Sequence, residues 1–174
     1  MAVLFARSDS VYKRIEGVEV FDLARDARTF PGGVPVVAHP PCAQWGRLRH
    51  LSKGRQAEKD LALFAVGCVH AWGGVVEHPA GSALWRVAML PRPGELGANG
   101  FTVELWQSAY GHRAPKRTWL YVAGVPGDAL PRVRGHGRTA RGRVESMGVR
   151  EREATPLDLA KRLVSIARLS RWAV

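Results

Sequence analysis

The 174-residue chain has only two cysteines, Cys42 and Cys68, and only 15 acidic residues to set against 26 lysines and arginines. Two thiols are too few for a secreted disulfide framework, and no charged-then-apolar leader with a small-residue cleavage site opens the sequence. A reducing cytoplasm is therefore expected. No apolar run reaches the roughly 20 residues that span a bilayer; the longest, from Leu61 to Val76, is interrupted by His70 and the Gly73-Gly74 pair. No long amphipathic segment sets bulky apolar residues against a lysine-rich face, which excludes an acidic membrane surface as the expected partner. Internal repeats are also lacking, so solenoids and propellers are excluded.

What is present is an ordinary globular composition, 46% hydrophobic and 24% charged. At this length folding buries roughly 70% of the surface of the unfolded chain, enough for one domain over residues 1–174 without disulfides or structural metal. The formal charge of +11 is the sharpest compositional signal. A surplus of cations on a small domain attracts polyanions, so DNA leads the expected partners, with RNA or free nucleotides behind it.

Strand and helix patterns alternate. Ala2 to Ala6 and Val18 to Phe21 read as short strands, and Val34 to Ala38 is a β-branched run that His39-Pro40-Pro41 stops abruptly. Ala57 to Trp72 carries Leu61, Phe64, Ala65, Cys68 and Trp72 at helical spacing, and Gly73-Gly74 ends it. Val75-Val76 then reads as a strand ending at Glu77-His78-Pro79, and Arg117 to Ala123 as a further strand. Strand, helix and strand in this order predict a right-handed crossover, hence an α/β fold with a mostly parallel sheet flanked by helices. Residues 126–153 are rich in Arg and Gly and read as a loop or a reduced insert without a core of its own. At the C-terminal end Thr155 reads as a cap, Pro156 as the first helical position, and Leu159, Leu163 and Ile166 as one helix face.

In parallel sheets ligands bind beyond the carboxyl ends of the strands, where this reading puts both Cys42 and Glu77. A rigid Pro-Pro step holds a thiol well for nucleophilic attack, with Arg47, Arg49 or His39 as the activating cation or base. The plain alternative for Cys42 is a small buried hydrophobe. Glu77, following Val75-Val76, is placed to act as a general acid with a raised pKa; its plain alternative is a surface carboxylate paired with one of the many arginines. Trp45, three residues past Cys42 in a polar loop, is placed to stack on a base. The arginines at 132, 134, 138, 141 and 143, with no acidic residue between them, are spaced to track phosphates. No metal site is expected. Cys68 and His70 point to different faces of one helix, and position 45, where a zinc deaminase needs a second cysteine, is Trp.

Four pieces occur in one order: Pro40-Pro41-Cys42, Glu77-His78-Pro79, Gln107 through Tyr110-Gly111 to Lys116-Arg117, and Ala154-Thr155-Pro156-Leu157. Together, from about Val34 to Ala167, they resemble the DNA cytosine-5 methyltransferases, and among them the small phage-type relatives. The resemblance implies a Rossmann-like methyltransferase fold. It also implies a Cys42 that attacks C6 of a flipped cytosine, a Glu77 that contacts and protonates N3, and S-adenosylmethionine as methyl donor near Phe5, Asp22 and Pro40. Trp45, Arg47, Arg49, Arg113, Lys116, Arg117, Arg132, Arg134, Arg138 and Arg141 are then the nucleic-acid contacts. Two departures stand out: Leu4-Phe5-Ala6 runs into Arg7-Ser8-Asp9-Ser10 with no glycine where the donor should approach the backbone, and His78 replaces the asparagine of the family's Glu-Asn loop. The alternatives are a catalytically degenerate DNA-binding relative, or an enzyme acting on the bases of RNA or nucleotides. A partner subunit is left open.

Overall fold

The computed structural model describes residues 1–46, 49–51, 56–130 and 142–171. Its strands are β1 (Ala2–Leu4), β2 (Glu19–Phe21), β3 (Val36–Ala38), β4 (Gly74–Pro79), β5 (Leu96–Gly97), β6 (Gly100–Trp106) and β7 (Arg117–Ala123). The helices are α1 (Gln56–Trp72), α2 (Ala83–Val87), α3 (Val149–Glu153) and α4 (Leu157–Ala167). All seven strands join one sheet in the order β2-β1-β3-β4-β7-β6-β5. The fold is α/β as expected, but the sheet is mixed rather than mostly parallel. β2, β1, β3 and β4 run parallel, and β7, β6 and β5 each pair antiparallel with their neighbours.

Alternate residues of each buried strand face opposite layers, as a period of two requires. Leu4, Val36, Ala38, Val76 and Tyr121 pack with Ala62, Ala65, Val66 and Val69 of α1 on one side. Val3, Val37, Val75, Leu120 and Val122 pack with Leu159, Leu163 and Ile166 of α4 on the other. The buried face of α1 is therefore rotated from the expected one, with Phe64 and Trp72 only partly buried at its margin. Gly74 joins α1 to β4 at φ +119, and a Cβ there would collide with the Val36 carbonyl. Glycine is what lets β4 start directly beside β3.

Two strand ends differ from expectation for local reasons. β1 stops at Leu4 because Phe5 takes a left-handed φ of 61° and turns the chain out of the sheet. β4 runs on through Glu77, His78 and Pro79 because β7 continues to pair with it, Pro79 opposite Thr118, whereas its register with β3 ends at Ala38 and Val76. Beyond Val76, β4 thus has, among the described residues, a paired strand on its β7 side only. α4 also begins without the expected cap: Pro156, at φ −58° and ψ 143°, occupies the capping position and no side chain bonds the helix start.

Candidate active site

The connections leaving β1 and β3 diverge, one toward β2 and the other toward β4, so their carboxyl ends bracket the crevice at a topological switch point. A cavity of about 360 Å³ lies there, lined among others by Phe5, Tyr12, His39, Cys42, Glu77 and Lys116. The antiparallel half of the sheet contributes as well. β6 ends and β7 begins at this same edge, which brings Gln107 and Lys116 to the end of β4.

Cys42 and Glu77, expected together on adjacent strand ends, line one cavity. The Cys42 carbonyl accepts from the amides of Trp45 at 3.0 Å and Gly46 at 2.9 Å, which closes a turn behind Cys42. Cys42 is exposed by surface area, yet the cleft walls around the thiol desolvate it, and this with the Glu77 charge raises its pKa against the opposing pull of Lys116. The resting group is a thiol at neutral pH. Lys116 is its cation; Arg47 lies outside the described residues, and exposed Arg49 donates to the Gly46 carbonyl at 3.4 Å.

The Glu77 carboxylate is buried and held on both oxygens. Gln107 Nε2 donates to Oε1 at 2.8 Å, and His39 Nδ1 meets Oε2 at 2.9 Å. Gln107 Nε2 also donates to Thr118 Oγ1 at 3.0 Å, and the Tyr12 hydroxyl meets His39 Nε2 at 2.8 Å. Burial alone pushes the Glu77 pKa up, but Lys116 and the His39 contact outweigh it and bring it down to about 2. This reverses the expected raised value: Glu77 rests as a carboxylate, because it is paired rather than merely desolvated. His78, on the same strand, is buried, and desolvation holds it neutral, down to about 4, against the Glu77 charge and the Pro41 carbonyl.

The other expected contacts divide. Trp45 is 5% exposed and belongs to the core beneath α1, so it is a packing residue and not a base platform. Its carbonyl accepts from Ala83 N at 3.0 Å and so ties the Cys42 loop to α2. Arg113 pairs with Glu151 at 2.8 Å and Arg117 with Glu104 at 2.8 Å, both away from the cavity lining. Arg132, Arg134, Arg138 and Arg141 lie outside the described residues. Thr155, expected as a cap, lines the cavity instead. Tyr12 and Gln107 had no assigned role. Gln107 sits in one of the four ordered pieces, whereas nothing in Ser10-Val11-Tyr12-Lys13 marks the tyrosine.

The positions implied for a methyl donor do not form one site. Phe5 and Pro40 line the cavity, but Asp22 does not. Its carboxylate is engaged by Lys13 at 2.6 Å and by the amides of Ala24 at 3.0 Å and Arg25 at 3.2 Å. Phe5 occupies the turn that needs bare backbone, its ring edge-on to Phe64 at 6.5 Å. These residues do not fit S-adenosylmethionine. Among the described residues no three His, Cys, Asp or Glu side chains converge as metal ligands, and no helix is long and apolar enough to cross a membrane. No family model, curated protein or solved structure matches the chain.

Proposed function

We propose that this protein modifies a pyrimidine base in DNA through a covalent Cys42 adduct, in the manner of the cytosine-5 methyltransferases it resembles, on a reduced Rossmann-like version of their fold. One observation carries the reading: a thiol and a buried carboxyl line one cavity at the switch point of the sheet. An aromatic ring carbon becomes a nucleophile only after addition breaks conjugation, and protonation of the ring nitrogen offsets the charge that addition creates. Cys42 supplies the addition and Glu77 the contact to N3. Lys116 favours the thiolate as it forms. No step runs through S-adenosylmethionine, whose site the ends of β1 and β2 do not provide. Pairing of Arg113 and Arg117 within the chain favours, as a second reading, a smaller substrate such as a nucleotide.

Nucleoside mass spectrometry on DNA from cells expressing the protein, beside cells expressing Cys42→Ala, tests the proposal. A new pyrimidine mass that vanishes in the variant is expected, and its mass identifies the group transferred. Identical DNA profiles with a changed nucleotide pool move the substrate to free nucleotides.

A further inference from the structure

Glu77 is the inner end of a buried hydrogen-bond chain that covalent addition alone does not require. His39 Nδ1 stands 2.9 Å behind its Oε2, and the Tyr12 hydroxyl 2.8 Å behind His39 Nε2. Separate segments supply the three groups, and all three line the cavity. The His39 side chain is only 12% exposed. An imidazolium held between a carboxylate and a phenol can give up the proton on its carboxylate side while its other N–H stays bonded to the phenol oxygen. A resting carboxylate, by contrast, has no proton to give to a ring nitrogen.

We propose that Tyr12 and His39 are positioning residues that load Glu77 with the proton it delivers into the cavity. The inference rests on the covalent reading of Cys42. Protonated His39 passes its Nδ1 proton to Glu77 Oε2 and keeps Nε2–H, which donates to the Tyr12 oxygen. Glu77 passes the proton to N3 of the pyrimidine as Cys42 Sγ bonds to C6, the C5=C6 pair shifts to C4–C5 and the C4=N3 pair moves onto N3. The thiol proton leaves to solvent and a solvent proton restores the imidazolium. The sum adds Cys42 S–H across C6 and N3, with no oxidant or reductant. Other groups act on Glu77 through space, namely Lys116 ahead of β7 and His78 on β4. Lys116 donates to the Arg152 carbonyl at 3.4 Å, and the amide of Gln107 does not titrate. His39 is the one titratable N–H bonded to the carboxylate among the described residues.

The probe is an oligodeoxynucleotide carrying 2-pyrimidinone, whose C6 accepts a thiol without a methyl donor; intact mass spectrometry of the full chain follows the adduct. His39→Gln keeps an amide donor for Glu77 but cannot titrate, and Tyr12→Phe keeps the ring. The relay predicts adduct formation roughly tenfold or more slower in His39→Gln at neutral pH, and slower in Tyr12→Phe. Removing a cation beside Glu77 makes the carboxylate easier to protonate, so a histidine that only holds Glu77 ionised predicts the opposite sign. An unchanged or faster His39→Gln overturns the relay. A wild-type chain that forms no adduct overturns the Cys42 reading, and with it the relay that rests on it.

Discussion

Burying Glu77 without partners would have kept it protonated; burying it against Gln107, His39 and the charge of Lys116 makes it an anion that the folded state needs. Its pKa is depressed on folding, so the stability it contributes is present above the unfolded value and lost as pH falls through the folded one. For Glu77 that window runs from its ordinary 4.5 down to about 2. Urea unfolding midpoints of the wild type should fall across this window, and those of Glu77→Gln should fall less. The same substitution acts on its neighbour. Glu77 raises the Cys42 pKa, so Glu77→Gln should speed iodoacetamide alkylation of Cys42 at a fixed pH just above neutral, read by peptide mass spectrometry. An unchanged rate would mean that the Glu77 charge has no part in setting the thiol.

At the scale of elements, Trp45 shows what a polar loop conceals. Its neighbours in sequence are polar and basic, yet its ring fills the core under α1 while its carbonyl receives Ala83 N. Trp45→Ala should cost about 3–5 kcal/mol, measured by denaturant unfolding, as large-to-small core changes do. The β1, β3, α1, β4 series was legible because β-branched runs, a helical period and the Gly73-Gly74 stop are local signals, and they placed Cys42 and Glu77 together. β7 was legible as a strand but not in its direction, since its antiparallel pairing comes with β6, a strand not among those expected although Phe101, Val103 and Leu105 alternate with Thr102 and Glu104. Gln107 and Lys116 reach the site only through that reversal. The charge state of Glu77 was illegible for the same reason, because the groups that set it come from distant segments.

For the whole molecule, the net charge of +11 is the surplus that internal ion pairs leave over, yet not every arginine is open to a phosphate. Arg7, Arg113, Arg117 and Arg150 are committed to Asp9, Glu153, Glu151 and Glu104. DNA affinity should fall steeply with salt. Arg113→Ala with Arg117→Ala should change the slope of log affinity on log salt by less than the roughly two units expected of two free phosphate contacts, read by fluorescence anisotropy in a salt series. A loss of two units would mean that both arginines exchange their carboxylates for phosphates.

The antiparallel return of β6 and β7 also sets a timetable. A chain emerging from the ribosome completes Cys42 and Glu77 while Gln107 and Lys116 are still unmade, and the helix that covers the α4 side of the sheet comes last. The Cys42 thiol is therefore made well before Lys116, the cation that favours its thiolate, and before Gln107, which holds Glu77, so the assembled site is a product of the finished chain.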